Sequence, residues 1–159
     1  MLKPVKSEDK KSETMLIYKT LHTVPALLTM LLTGFTSSAQ QPSLQIDVLN
    51  VQKNRGKIII ELYKNKSNWL KSPFQKITVP SDEVSKTVSL SVPQGKYAVS
   101  IYQDTNGNGE LDQNFLGIPK EPIGFGNNYK PFGKPKFESA LIELKSTAKP
   151  EAIKLFSVF

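Results

Sequence analysis

The side chains best suited to chemistry lie in one glycine-rich segment, residues 104–112, with the sequence DTNGNGELD. Asp104, Asn106 and Asn108 alternate along it, and Gly109 follows directly. Oxygen-bearing side chains at loop positions 1, 3 and 5 with glycine at position 6 match the first half of an EF-hand-type calcium loop. Calcium takes about 6–8 hard oxygen ligands, which a glycine-relaxed turn can bring together. The spacing therefore predicts a calcium-binding loop that begins at Asp104.

The second half of the loop follows the calcium pattern only in part. Glu110 occupies position 7, where the backbone carbonyl is the ligand, and Asp112 occupies position 9. Position 12 needs a bidentate glutamate but is Phe115, so another carboxylate such as Glu121 would have to replace it. We expect modest affinity, suited to millimolar extracellular calcium. The alternative is a plain turn, because Asn-Gly pairs are strong hairpin signals in their own right.

The longer segment 104–137, which contains this loop, shows no strand periodicity. Connections beyond about 12–15 residues are uncommon and are usually functional or disordered. This excursion is rich in aromatic residues, which disordered segments lack, so we expect it to fold over the domain. Binding residues concentrate in loops held by a regular scaffold, which predicts a protein or polysaccharide partner here, with or without a metal. The residues predicted to contact it are Phe125, Asn127, Asn128, Tyr129 and Phe132.

Residues 15–39 have the pattern of a secretory signal peptide. Lys19 precedes an apolar run from Val24 to Phe35, and small residues follow as far as Ala39. A positive start, an apolar core of about 7–15 residues and a small-residue exit define such a leader, whereas a membrane span needs about 20 apolar residues. We expect cleavage after Ala39, leaving a periplasmic or secreted domain of residues 40–159. The charged residues 1–14 are interpreted as an over-extended start or a long n-region.

The cysteine and histidine content of this mature domain limits the classes of function that it could have. Cysteine is absent, and the single histidine, His22, would leave with the leader. The domain would then have neither a Ser-His nor a Cys-His nucleophile and no His/Cys ligand set for zinc. Asp104 and Glu121 could form a carboxylate pair for glycosidic chemistry, but no second feature supports that interpretation. We therefore expect a binding module rather than an enzyme.

The charge of the mature domain is moderate and dispersed. Removal of residues 1–39 leaves sixteen basic and eleven acidic residues, a net charge of +5. Nucleic-acid binding requires basic residues clustered on one face, and the lysines here are scattered along the chain. We expect neither a nucleic-acid partner nor a membrane span in the mature form.

Outside the excursion, the periodicity is that of β-strands. Apolar residues alternate with polar ones at a period of two, which is typical of half-buried strands. Turn residues such as Gly56 and Gly95 separate the alternating segments. Six segments have this character, 44–48, 77–79, 84–92, 97–102, 140–144 and 153–156, and the β-branched run 58–63 adds a seventh strand. They predict an all-β domain, a seven-stranded β-sandwich of the immunoglobulin or transthyretin kind with a long ordered loop.

Several consecutive motifs resemble those of the bacterial family DUF2141. The motifs are PQGKYAV at 93–99, YQDTNGNGELD at 102–112, NFLGIPKEP at 114–122, GFGNN at 124–128 and FGKPKFE at 132–138. The resemblance covers nearly all of residues 43–158 and implies an exported sandwich domain without an established activity. Gln103 departs from the family, in which histidine is common at this position, so a role for an imidazole there is absent.

Overall fold

A computed structural model describes residues 43–145 and 149–158 of the 159-residue chain. The leader predicted over residues 15–39 and its cleavage site lie outside the described residues. Within them, no helix is long and apolar enough to cross a membrane. The described residues form three short 3-10 helices, Lys66–Asn68, Gly126–Asn128 and Glu138–Ala140. They also form eight strands: β1 (Ser43–Leu49), β2 (Lys57–Tyr63), β3 (Gln75–Pro80), β4 (Ser85–Ser91), β5 (Gly95–Asp104), β6 (Ile123–Phe125), β7 (Leu141–Leu144) and β8 (Glu151–Lys154).

The strands form two sheets. The smaller sheet has the order β4-β1-β8, in which β1 pairs antiparallel with β4 and parallel with β8. The larger sheet has the order β3-β2-β5-β6, and β7 also pairs with β5. On one side β5 pairs with β2, and on the other it pairs with β6 through residues 100–102 and with β7 through residues 95–98. The short strands β6 and β7 therefore share one edge of β5.

An apolar core between the two sheets holds the sandwich together. Ile46 and Leu90 enter it from the smaller sheet, and Ile58, Ile60 and Ile101 enter it from the larger one. All five side chains are completely inaccessible to solvent. Because successive side chains of a strand point to opposite faces, residues two apart such as Ile58 and Ile60 share the inner face, whereas Ile59 between them faces outward. The all-β sandwich predicted from the sequence is confirmed.

The structure adds an eighth strand, β6, to the seven that the sequence predicts. It contains three residues within the excursion, too few for a period of two to be recognised. Gly124 at its centre lies against the segment that includes β8. A Cβ atom there would lie 3.0 Å from Cγ2 of Ile153 and 3.2 Å from Cδ2 of Leu155. The position of this strand therefore depends on its pairing with β5 and its packing against Ile153 and Leu155, and not on a pattern in its own sequence.

A second apolar cluster covers the outer face of the larger sheet. Ile59 and Tyr63 of β2 contribute to it, and Trp69 packs on it from the β2–β3 connection. The Trp69 indole lies edge-on to the Tyr63 ring with centroids 5.0 Å apart, and its Nε1 donates to the Pro135 carbonyl at 3.0 Å. Pro135 belongs to the excursion, as does Phe137, whose ring is 5.9 Å from Trp69. The excursion therefore folds over this face, as expected.

Candidate functional site

The candidate calcium loop begins at the last residue of β5. Asp104 is 1 % exposed, and its carboxylate accepts three consecutive backbone N–H groups of the loop. Oδ1 accepts from Gly107 at 2.7 Å and from Asn108 at 3.2 Å, and Oδ2 accepts from Gly109 at 2.8 Å. Gly107 and Gly109 have φ values of +79° and +84°, a conformation that glycine adopts without steric cost. These glycines allow the chain to wrap around the Asp104 carboxylate.

The two loop asparagines continue the same local pattern. The Asn106 side-chain oxygen accepts from the backbone N–H of Asn108 at 3.0 Å, and that of Asn108 accepts from Glu110 at 2.9 Å. Each is a bond to the backbone two residues ahead, the Asx turn that these side chains favour. The Nδ2 groups of Asn106 and Asn108 in turn donate to the Asp112 carboxylate at 2.6 Å and 3.3 Å. The loop thus joins the side chains of Asn106 and Asn108 to that of Asp112, whereas the Asp104 side chain bonds the loop backbone.

Glu110, the fifth predicted ligand, differs from the other four. Its side chain is exposed, and its backbone N–H is held by Asn108. This agrees with the loop pattern, in which position 7 would contribute a carbonyl oxygen and not a side chain. Among the described residues, no group of three or more Asp, Glu, His or Cys side chains is arranged to hold a metal ion. A cation here would therefore depend on amide and carbonyl oxygens as well as carboxylates.

Glu121 folds back onto the loop but does not fill the missing position 12. Its side chain is buried, and Oε1 accepts from the N–H of Thr105 at 2.6 Å and from the Thr105 hydroxyl at 3.1 Å. Oε2 accepts from the N–H of Asp112 at 3.2 Å. Glu121 therefore ties the start of the loop to its end. Phe115, at position 12, is 95 % exposed.

The base of the loop rests on the turn between β1 and β2, a contact that the sequence analysis missed. Gln103 is fully buried, and its side-chain amide bonds the backbone of Gln52 and Arg55 at 2.7–2.9 Å. Gly56 approaches so closely that a Cβ atom would lie 1.7 Å from the Asp104 carbonyl oxygen. The turn residues 54–56 were visible in the sequence, but their partner 48 residues away was not.

A polar network on the outer face reaches the loop from the sheet. The Tyr63 hydroxyl donates to Glu61 Oε2 at 2.6 Å, and Lys76 Nζ lies 3.5 Å from Glu61 Oε1. Lys76 also donates to the Tyr102 hydroxyl at 3.3 Å, and that hydroxyl donates to the Gly109 carbonyl at 3.2 Å. The last bond connects β5 to the centre of the loop.

Burial and neighbouring charge shift the pKa values in this network. Burial raises the pKa of Tyr63 far above its usual value, and the hydrogen bond and negative charge of Glu61 add to this effect. Burial also raises the pKa of Tyr102. Burial alone would lower the pKa of Lys76, but its bond to Tyr102 and its proximity to Glu61 raise it overall. The tyrosines are therefore neutral and the lysine charged at neutral pH.

The five residues predicted to bind a partner do not form one exposed surface. Phe125 is buried, and Tyr129 is half-buried with its ring 6.3 Å from that of Phe125. Asn127 donates to the Leu141 carbonyl at 2.5 Å, and Asn128 donates to the Ala152 carbonyl at 2.6 Å and accepts from the N–H of Lys154 at 2.8 Å. These asparagines fasten the excursion to β7 and β8. Of the three aromatic residues, only Phe132 is fully exposed.

The fold and the loop together define an all-β sandwich that carries an Asx-rich, glycine-rich loop at the end of a central strand. Residues 46–151 match the family described as an uncharacterized protein conserved in bacteria, DUF2141. The match covers more than half of the chain, which therefore belongs to this family and confirms the resemblance seen in its motifs. No curated protein and no solved structure matches the chain.

Proposed function

We propose that the chain is an exported, non-enzymatic domain in which residues 104–112 bind calcium and stiffen the excursion 104–137 for contact with an extracytoplasmic partner. The arrangement of Asp104, Asn106, Asn108 and Asp112 around one tight turn carries this proposal. The signal-peptide pattern of residues 15–39 supports export. The absence of cysteine and of any histidine beyond His22 supports a binding role.

The acceptor capacity of the loop supports a hard cation. A carboxylate offers about four lone-pair positions and an amide oxygen offers two. The three backbone bonds to Asp104 and the single bonds to the oxygens of Asn106 and Asn108 leave each group able to accept again. Asp112 accepts only two amide bonds. With the Glu110 carbonyl and water, these oxygens could supply the roughly 6–8 ligands that calcium takes.

The tethers of the loop support a stiffening role. Calcium would hold Asp104 and Asp112 in one cluster, and Glu121 already joins the N–H groups of Thr105 and Asp112. The Tyr102 hydroxyl fixes the Gly109 carbonyl from the sheet. Order imposed at the loop would therefore pass to the segment after Asp112, which leads into the rest of the excursion. Two carboxylates and two amides carry little charge, which again suggests modest affinity.

The rival function is a metal-independent module that recognises a protein or polysaccharide. Its support is that each of Asp104, Asn106 and Asn108 already accepts backbone N–H groups of the loop, as in a stable Asx turn without a metal. The excursion also exposes Phe115, Leu116 and Phe132, at 95 %, 68 % and 108 % of their reference areas. Contiguous exposed apolar surface is typical of interaction sites, and Leu116 and Phe132 line the same groove.

Thermal unfolding of the protein with calcium and with chelator separates the two functions. A ligand at 100 times its dissociation constant stabilises the folded state by about 2.7 kcal/mol, which raises the midpoint by several degrees. Asp112→Asn removes one ligand charge while keeping a similar shape, and it should abolish most of this rise. Asp47→Asn, a carboxylate of β1 in the other sheet, is the matched control and should keep it. An unchanged midpoint with calcium would eliminate the calcium function and favour the plain turn.

A further inference from the structure

The excursion leaves an open groove on the outer face of the larger sheet. Its volume is about 650 Å³, within the range of about 300–1,000 Å³ typical of small-molecule sites. Aliphatic and aromatic side chains dominate its lining, among them Leu70, Leu111, Ile118, Ile123 and Phe156. A folded chain normally fills such a space with its own side chains. The groove is therefore suited to an apolar ligand.

The rim of the groove keeps large apolar side chains in water. Phe132 is fully exposed, Leu116 is 68 % exposed and Leu70 is 43 % exposed, and all three line the groove. Leu70 also has a φ of +55°, a left-handed conformation that is strained for a leucine side chain. Such strain persists where the surrounding structure enforces it, and it is frequent at ligand sites. Here the left-handed backbone conformation places the Leu70 side chain at the opening of the groove.

The charged side chains at the groove indicate the sign of the charge that its ligand would carry. Lys134 is the one charged side chain among the lining residues that the structure describes, and no carboxylate accompanies it. A second cation, Lys130 Nζ, stands 5.2 Å from the ring centroid of the lining residue Phe156. Ser100 and Gln113 add polar groups to the lining. An apolar ligand that ends in an anionic group would meet complementary charge here.

The backbone beside the groove disfavours an extended peptide as the ligand. A peptide that adds a strand to a sheet needs unpaired backbone groups at the edge. At the edge strand β6, the N–H of Ile123 donates to the Phe156 carbonyl at 3.0 Å, and the N–H of Phe156 donates back to Ile123 at 2.8 Å. That position is therefore already paired. An aliphatic chain requires no such bonds.

We propose that this groove binds one long-chain aliphatic monocarboxylate. Its hydrocarbon chain lies among the leucine and isoleucine side chains, and its carboxylate pairs with Lys134. Burial of the chain removes Phe132 and Leu116 from water, which supplies the driving force. The inference goes beyond the proposed calcium loop and requires no calcium, so its test is made in chelator and again in calcium.

Displacement of a fluorescent fatty-acid analogue from the delipidated protein tests the ligand class. Dodecanoate, below its micelle concentration, is expected to displace the probe at one molecule per chain. Each methylene added to a shorter carboxylate should tighten binding about fourfold until the groove is filled. Dodecanol should bind more weakly, by about two- to fivefold, because it cannot pair with the exposed Lys134. A failure of dodecanoate to bind in both chelator and calcium overturns the proposal.

Substitutions at the rim test the location. Phe132→Ser should weaken dodecanoate binding by about tenfold, whereas Val84→Ser, at a 65 % exposed valine outside the groove, should leave it unchanged. Lys134→Gln should weaken dodecanoate but not dodecanol, and Lys53→Gln should affect neither. Equal losses in Phe132→Ser and Val84→Ser overturn the proposed location. Dimers in sedimentation that Phe132→Ser dissociates, without dodecanoate binding, would instead assign the groove to a second copy of the chain.

Discussion

The two faces of the five-stranded sheet are both covered, but by different kinds of structure. On the inner face, Ile58, Ile60 and Leu62 of β2 are fully buried against the strands of the other sheet. On the outer face, Ile59 and Tyr63 of the same strand are covered by connections and by the excursion. Two regular sheets interdigitate their side chains at high density. The irregular outer layer instead leaves a groove of about 650 Å³ and exposed apolar side chains at its rim.

The inner and outer faces also differ in their polar content. The inner core includes one polar atom on an aromatic residue, the Tyr97 hydroxyl, which donates to the Pro93 carbonyl at 2.6 Å. The outer layer contains the polar network of Glu61, Tyr63 and Lys76, and it adjoins the candidate calcium loop. Loops that a rigid scaffold positions are where binding residues concentrate. The regular core thus supports the irregular layer in which the proposed binding sites lie.

The largest effect is expected from truncating the inner core. Ile60→Ala and Ile59→Ala make the same change at adjacent residues on opposite faces, with 0 % and 2 % exposure. A buried isoleucine-to-alanine change costs about 2–5 kcal/mol, more where the surroundings cannot relax. We expect Ile60→Ala in the upper half of that range and Ile59→Ala in the lower half, as measured by urea unfolding. Equal losses would show that the outer layer is as tightly packed as the inner core.

A smaller effect is expected at the junction of the two layers, where β5 ends and the excursion begins. Gly56 has a φ of +64° and lies against the Asp104 carbonyl, so Gly56→Ala introduces both backbone strain and a collision. We expect a loss of roughly 2–3 kcal/mol in the free energy of unfolding.

Gly109→Ala is the matched control for this junction. Gly109 has a φ of +84°, but a Cβ atom there would meet nothing within 4 Å. Strain alone should cost about 1 kcal/mol. If the two alanine variants were equally stable, the contact between Gly56 and Asp104 would not anchor the loop.

The sequence predicts the inner face far better than the outer one. Alternation along β5 identifies Tyr97, Val99 and Ile101 as one face, and these residues do lie in the core. The same alternation cannot reveal that Ala98 and Tyr102 on the other face are also buried, because their cover comes from the distant excursion. Strand periodicity therefore reveals a face that is buried against another sheet, but not a face that is covered by an irregular segment.

The candidate loop shows the same limit on a smaller scale. The bonds of Asp104, Asn106 and Asn108 join groups two to six residues apart, so their spacing alone predicts them. The bonds of Glu121 and Gln103 join groups 16 and 51 residues away and depend on the complete fold. The sequence identifies Glu121 as a carboxylate that could return to the loop, but it does not predict that Glu121 joins the N–H groups of Thr105 and Asp112.

The smallest expected effect is a pH dependence that belongs to the outer layer. The pKa of Tyr63 is raised above its usual 10.0 by burial and by Glu61. The folded state therefore keeps the proton at a pH where the unfolded chain releases it. The contribution of Tyr63 to the free energy of unfolding is therefore fully present below pH 10.0 and is lost as the pH rises above 10.0. Between about pH 8 and about pH 11, this tyrosine should account for a loss of roughly 1 kcal/mol.

Tyr63→Phe tests whether the outer layer carries this dependence. The variant loses the bond to Glu61 and should be about 1 kcal/mol less stable near neutral pH, but its urea midpoint should fall less between the two pH values. Tyr97→Phe is the inner-core comparison, because burial alone raises the pKa of Tyr97 and no carboxylate adds to it. The free energy of unfolding of Tyr97→Phe should therefore fall between the two pH values by more than that of Tyr63→Phe. If the loss of stability between the two pH values were unchanged in Tyr63→Phe and absent in Tyr97→Phe, the pH dependence would arise in the inner core.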